Sequence, residues 1–446
     1  MATSFPTGLD ALTNPTSGNT LASPDHAGQH ADANDAIEAL EAKVGVNGSA
    51  VTSSLDYKIT NINASNLTSG TVPTARVAGS YTNITSVGTL SSLNVSGSVS
   101  SGGITTSVYY RQDTDYLSPY QGFRNKIING DFGINQRAFT SITASDTYGF
   151  DRWAFQASGG TSTMTPQTFT VGSPAQTGYE SANFCRLATS GQTLTGHYSI
   201  LYQKIEDVRT FANSTVTVSF WAKAASGNPK IALEFGQVFG TGGSPSAGVN
   251  TYAGQATIST SWARYSITAT VPSISGKTIG TTANTSLLGI NFWVSAGSTF
   301  NSRTGSIGLQ NNTFDIWGVQ VERGSVATPF EQRPIGTELA LCQRYYWRHT
   351  GFSSGPYFGG GTADATSGIY ITVQHPVPMR VAPTSIDVVA NITDTSATFT
   401  PTAISIYLAG TLSTTIKNTY SSYVQYRWHA YLLNNAGYYV GCSSEL

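Results

Sequence analysis

Charge is what this chain has least of. Of its 446 residues only 11% are Asp, Glu, Lys or Arg, against about a quarter in ordinary globular domains. The formal net charge is −1, so no positive field exists to attract nucleic acid or an anionic membrane. Nucleic-acid binding and membrane insertion are therefore not expected. Three widely spaced cysteines, Cys185, Cys342 and Cys442, make neither a disulfide framework nor a Cys-x-x-Cys metal motif and read as buried thiols. No run approaches the ~18 apolar residues of a membrane span. Met1-Ala-Thr-Ser-Phe-Pro6 has neither the basic region nor the apolar core of a signal peptide, so synthesis in a host cytoplasm without an export signal is expected. Catalytic motifs are missing too: there is no Gly-x-Ser-x-Gly and no His-Glu-x-x-His. Phe239-Gly-Thr-Gly-Gly-Ser-Pro245 lacks the Lys of a phosphate loop and reads as a hairpin turn.

What remains is rich in Gly, Ser, Thr and Asn, with 39% apolar and 11% aromatic content, enough to build cores. The length predicts about two to four domains. Residues 1–22 read as an extended arm. Ser23-Pro-Asp25 then offers a helix start, and Gly45 a stop, giving a helix over 23–45. On it Ala33, Ile37, Leu40 and Val44 follow the four-three-four spacing of coiled-coil core positions. His26 and His30 extend that stripe; four apart, both could face a threefold axis and hold a metal or an anion, but they read rather as solvated or core-lining histidines. Residues 46–118 form a low-charge stretch whose single apolar residues recur every fifth position (Ile62, Leu67, Val72, Val77), then every third (Ile84, Val87, Leu90, Leu93). One chain cannot build a core from such beads, whereas copies wound round an axis can. The expectation is an intertwined trimeric β shaft, with a disordered linker as the bland alternative.

From 119 the pattern is mostly β. Thr215-Val-Thr-Val-Ser-Phe-Trp-Ala-Lys223 and Arg264-Tyr-Ser-Ile-Thr-Ala-Thr-Val271 alternate, and Leu287–Val294 reads as a more buried strand. Thr337 can cap a short helix whose Leu339, Cys342 and Tyr346 again fall at core-like spacing for trimerisation. Further alternating runs, Gly368–Val373, Ile386–Ala390, Ala403–Leu408 and Ser422–Trp428, predict a small sandwich at the C-terminus.

Two segments frame the long β region. Phe123-Arg-Asn-Lys-Ile-Ile-Asn-Gly-Asp-Phe132 and Tyr148-Gly-Phe-Asp-Arg-Trp153 open it. Phe314-Asp-Ile-Trp-Gly-Val-Gln-Val-Glu-Arg-Gly324 and Ala327-Thr-Pro-Phe-Glu-Gln-Arg-Pro334 close it. With Ser219-Phe-Trp-Ala-Lys223 and Ser261-Trp-Ala-Arg-Tyr265 between them, these resemble the carbohydrate-binding-module-like jelly roll of bacteriophage tail fibres. Arg333–Trp347 and His375–Thr384 resemble segments of the trimeric tip that follows it there. Asn66–Arg76 resembles segments common in fibre shafts. The resemblance implies a homotrimeric receptor-binding fibre in the virion, joined to the tail or baseplate through its N-terminus. Its parts would be an attachment arm (1–22), a coiled coil (23–45), a slender shaft (46–118), a jelly roll (119–335) and a β-sandwich tip (336–446). Related jelly rolls often hold a structural calcium, so the resemblance also offers Asn129, Asp131 and Asp315, in the end motifs, as oxygen ligands; this is the minority reading, and no metal or cofactor is assigned.

The expected function is adhesion to host surface polysaccharide or protein. A purely structural tail component is the alternative, and a polysaccharide depolymerase a third. Tryptophans on jelly-roll strands, such as Trp221 and Trp317, read as core. The tip is crowded with aromatics, and Trp347, Tyr357, Tyr426, Trp428, Tyr431 and Tyr438 are the candidates for receptor or glycan contact.

Overall fold

The computed structural model of the protein describes residues 16–18, 20–22, 25–61, 111–112, 115–116, 122–176, 178–351, 357–365, 368–394, 396–420 and 426–446. They belong to two units that divide between Thr105 and Thr106.

In the first unit the expected helix is present as His26–Val44 (α1). It stops at Gly45, whose φ of +82° suits glycine and whose Cβ, if added, would sit 2.8 Å from Ser54. Ser23 and Pro24 lie outside the described residues, and Asp25 occupies the N-cap without a side-chain bond. No residue of α1 is buried. Ile37 and Leu40 are 54% and 51% exposed, Val44 is also exposed and Ala33 half-buried. The β shaft expected over 46–118 lies mostly outside the described residues, but its first part is helical. Leu55–Thr60 (α2) is capped by Ser54, whose hydroxyl accepts from Tyr57 N at 3.2 Å. Asp56 accepts Ser49 N at 2.9 Å, closing the loop before it. These local side-chain bonds favour a helical turn over a strand.

In the second unit, strands between Thr147 and Arg323 form two antiparallel sheets. The six-stranded sheet runs, in spatial order, Val249–Thr257, Lys230–Phe239, Ser286–Ala296, Tyr198–Glu206, Ala154–Ser158 and Thr147–Tyr148. The five-stranded sheet runs Ala263–Thr270, Thr215–Ala224, Thr313–Arg323, Asn183–Ser190 and Thr161–Thr168. The chain passes repeatedly from one sheet to the other, as a jelly roll does. Side chains alternate across each strand, so Phe155, Leu201, Phe235 and Phe292 meet Leu187, Val218, Phe220 and Ile316 in one core. The Phe239–Pro245 segment is the expected hairpin link, between Lys230–Phe239 and Val249–Thr257.

The opening and closing motifs bind one another. Asn125 Oδ1 accepts Ile127 N and Val321 N at 3.0 Å, and Glu331 accepts Asn125 N at 2.7 Å. Arg333 pairs with Glu338 and donates to Ile127 O at 3.1 Å. Those motifs fasten the two ends of the sandwich together, so each has a structural reason.

The C-terminal residues form a second, smaller sandwich. A three-stranded sheet orders Tyr346–Thr350, Tyr439–Ser443 and Ser385–Val389. A seven-stranded sheet orders Thr398–Phe399, Asn391–Thr393, Trp428–Leu432, Tyr357–Ala365, Gly368–Gln374, Ser413–Thr419 and Ala403–Ala409. Ile369, Ile371, Val373, Ile416, Trp347 and Val440 fill the space between them. The short helix leading in is Ile335–Gln343, starting at Pro334 rather than at Thr337. Cys342 and Tyr346, expected at a trimer seam, are buried within the single chain. The Tyr346 ring lies under the Arg137 guanidinium, 3.6 Å from its centroid. Only Leu339 of that set is half-buried, so the core-like spacing here serves packing on the jelly roll.

No helix among the described residues is long and apolar enough to cross a membrane, which says nothing of strands.

Candidate functional site

The jelly-roll aromatics are closed. Phe220 and Phe292 face the core, and their neighbours Trp221 and Trp293 face outward but are covered. Trp221 packs among Trp317 and Phe330 with the Arg264 guanidinium 4.8 Å from its ring. Trp293 lies against Phe300, its Nε1 donating to Glu234 at 3.1 Å, with Arg303 over its face and paired to Glu234 at 2.6 Å. Part of the six-stranded sheet's outer face is also taken up by the C-terminal sandwich. Lys204 Nζ and Tyr148 Oη both donate to Leu446 O, at 2.7 and 2.9 Å, and Arg344 and Tyr345 bind Glu206.

The calcium ligands implied by the resemblance are each engaged with other protein groups. Asn129 is spent on Ile134 and on Asp151 O. Asp315 is gripped by Arg186 through two bonds, at 2.7 and 2.9 Å, with Lys223 at 3.6 Å. Asp131 accepts Gly133 N, and burial pushes its carboxyl up from the ordinary value. Among the described residues no three His, Cys, Asp or Glu side chains are grouped to hold a metal.

A cleft of about 290 Å³ is lined by Glu206, Asp207, Arg209 and the 279–286 loop. Two carboxylates at a cleft are what glycoside hydrolysis would need, but one of them must hold a proton. Burial pushes the Glu206 carboxyl up, yet the Arg344 and Tyr345 hydrogen bonds and the Arg344 and Arg380 charges together outweigh it and hold the carboxyl below its ordinary value. Asp207 is paired with Arg209 at 3.0 Å. The Glu206 arrangement does not favour a general acid.

The open aromatic surface is elsewhere, on the outer face of the seven-stranded sheet. The three-stranded sheet lies toward the jelly roll: Tyr346 O accepts Gln136 Nε2 at 2.8 Å and Arg348 donates to Arg137 O at 2.7 Å. The seven-stranded sheet's outer face is therefore turned away from it. Register places Trp428, Thr362, Tyr370, Lys417 and Ser405 in one row across five strands, a span of ~19 Å at ordinary strand spacing. Beside it, Thr372 and Thr415 hydroxyls meet at 2.9 Å.

Three successive glycines make this surface. The register shifts between Phe358 and Gly361, a bulge with Gly359 at φ +68°. Added Cβ atoms on Gly359 and Gly361 would meet core and backbone. One on Gly360 would sit 2.9 Å from Trp428 Nε1. The Nε1–Cζ2 edge of the indole thus occupies the space a side chain at 360 would fill, and Trp428 is 49% exposed. Further along, Tyr370 and the exposed Tyr407 pack edge to face at 4.6 Å, with Lys417 Nζ 5.9 Å from the Tyr370 ring. Hydroxyls and amines at the rims of apolar rings are what a sugar presents complementary surfaces to: axial C–H faces for stacking and O–H groups for hydrogen bonds.

Of the candidates read from sequence, Trp428, Tyr357 and Tyr426 are exposed, and Trp428 sits on this row. Tyr357 opens the strand that carries Gly360 and Thr362, and Tyr426 precedes Trp428 by two residues with its N bonded to Ala363 O at 3.1 Å. Tyr438 is half-buried, its hydroxyl accepting Asn391 Nδ2 at 3.1 Å. Trp347 and Tyr431 are corrected to core positions. Trp347 is packed on Phe358 and His375, and the buried Tyr431 donates to Asn418 Oδ1 at 3.0 Å. Strand alternation sends both side chains inward. Tyr370, Tyr407, Lys417 and Thr362 were not among the candidates. Their signal is the alternation Ile369-Tyr-Ile-Thr-Val373 and the glycine triplet opposite it.

Changing Gly360 to Val is expected to push the indole edge away from this strand. The neighbour that must move is the end of a surface side chain, so melting should shift by about 1 kcal/mol or less. Trp428 fluorescence should shift to the red as the ring becomes more solvated; unchanged emission would mean the ring does not rest there.

No protein-family model matches the chain, and no curated protein does. Among solved structures, the enzymatically active domain of tailspike protein 4 from bacteriophage CBA120 aligns at 14% identity and TM-score 0.27, over 47% of this chain and 22% of that one. A structure titled a sugar-binding protein from Bacteroides thetaiotaomicron aligns at 13% identity and TM-score 0.28, over 45% of this chain and all of that one. A family 11 carbohydrate-binding module from Clostridium thermocellum, in complex with a mixed-linked tetrasaccharide, aligns at 12% identity and TM-score 0.25, over 43% of this chain and 99% of that one. At these scores the functional reading rests on the geometry of the site.

Proposed function

We propose that the protein is a non-catalytic adhesin of a phage tail, a homotrimeric fibre that binds host surface glycan through the outer face of its C-terminal seven-stranded sheet. The observation that carries this reading is the Trp428 indole set edge-on against Gly360, half open to solvent and in register with Tyr370, while the jelly-roll tryptophans are buried or half-buried. A row that runs across five strands suits a polymer lying along it better than a small free ligand. Three copies on one axis would add their weak contacts through effective concentration. The N-terminal part would face the particle and the C-terminal part the host.

The trimer is supported by the exposed stripe of α1. Ile37, Leu40 and Val44 project from a helix with no buried residue, and exposed apolar residues in line are costly unless another copy covers them. Light scattering of the full chain should give three times the chain mass. Replacing both Ile37 and Leu40 with Asp should loosen the N-terminal end and leave melting of the β unit unchanged, because that unit has its own cores. A stable monomer for the unaltered chain would overturn the trimer. The adhesive reading is tested by adsorption of the full chain to host and non-host cells: selective binding supports it, and equal or absent binding favours a structural tail component.

A further inference from the structure

We infer that His26 and His30 of α1 form a chelating pair for a divalent transition metal of the zinc, nickel or copper class. The two residues are four apart on one helix face, and their Nε2 atoms lie 3.1 Å from each other. The rings meet nearly at right angles, 87°, with centroids 4.4 Å apart. Two imidazole nitrogens bound to one zinc at the usual ~2.0–2.1 Å, in tetrahedral geometry, stand about 3.4 Å apart, so a metal enters this pair with a movement of a few tenths of an ångström. In the free protein one ring donates a proton to the other; a metal ion replaces that proton and takes both lone pairs. Imidazole is a ligand type that these metals favour over magnesium or calcium.

Both rings are exposed, so the remaining coordination positions take water or donors from another copy. The pair also continues the apolar stripe of Ala33, Ile37, Leu40 and Val44, which sets it where copies would meet if the helix self-associates. The chelate itself does not rest on that association, since both ligands belong to one chain.

The experiment is calorimetric titration of the full-length protein, without a purification tag, with zinc chloride and nickel chloride. It is repeated on His26→Ala, His30→Ala and the double variant. The other four of the chain's six histidines stay in place in every variant and serve as the background. The expected result is a saturable site at one ion per chain that weakens about tenfold or more in either single variant, because losing one ligand removes the effective concentration the second supplies. A stoichiometry below one ion per chain with both histidines still required also supports the pair, and shows copies sharing the ion. Binding that is equal in the unaltered protein and the double variant overturns the proposal, as does the absence of saturable binding. Both side chains lie on the surface of α1, so circular dichroism of the variants should match the parent.

Discussion

Replacing Glu445 with Ala should destabilise the β unit by about 3–5 kcal/mol, the usual consequence of leaving a buried charge without its partner. Arg152 is almost fully buried beneath the C-terminal sandwich and pairs with Glu445. Its guanidinium also donates to Lys204 O at 2.5 Å and stacks on the Tyr345 ring at 3.4 Å. Burial alone works against the charge on Arg152, and the Glu445 carboxylate together with Tyr345, Tyr148 and Cys342 more than offsets it. Arg137, at 3.3 Å, shares the same carboxylate. Removing Glu445 therefore strands two guanidiniums between the sandwiches, and the melting temperature should fall by on the order of 5–10 °C. Adding Arg152→Met to Glu445→Ala should recover part of the loss, since the orphaned charge goes as well. A melting temperature unchanged within about 1 °C would show that this pair does not hold the two sandwiches together.

The same junction decides how the adhesive face can be studied. Tyr345, Tyr346 and Cys342 are buried against the jelly roll, so a fragment of residues 336–446 would expose them. Binding experiments need the whole chain.

On the whole chain, Trp428→Ala should weaken binding of host polysaccharide by roughly 30-fold per site, the effect of about 2 kcal/mol for an aromatic hot spot. Adsorption of the trimer to cells should fall further, because each copy loses its share. Stability should change little: the indole is half exposed and lies outside the core cluster, so the melting shift should stay within about 1 kcal/mol. Tyr431→Ala is the contrasting variant. Tyr431 is in the core and bonded to Asn418, so its loss should lower melting, and adsorption should fall only as the folded fraction falls. If Trp428→Ala binds host polysaccharide as well as the parent, the indole is not a contact.

How much of this was legible in the sequence differs by level. Strands with clean period-two alternation, such as Thr215–Ala224 and Gly368–Gln374, could be read directly, because alternation follows from the pleat. The α1 stop could be read from Gly45. The face of the Trp428–Leu432 strand could not: Trp428 and Ala430 alternate with His429 and Tyr431, and both sets are apolar or aromatic enough to be core. Only pairing with the strand that carries Gly360 settles it, sending Trp428 outward. The row of Trp428, Thr362, Tyr370 and Lys417 comes from four different strands and exists only through long-range register. Trp347 failed as a surface candidate for a similar reason, since the residues that cover it, Phe358 and His375, come from other strands. At 55–60 a local cap at Ser54 produced a helix where composition pointed to shaft.

The most direct test of the adhesive face is oxidative footprinting of the seven tryptophans with and without host surface polysaccharide. In the free protein Trp428 should be the most readily oxidised, because Trp153, Trp221, Trp293, Trp317 and Trp347 are buried and Trp262 is half-buried. The account predicts that saturating polysaccharide protects Trp428 and leaves the others as they were. Binding of the polysaccharide with Trp428 still fully reactive would contradict it.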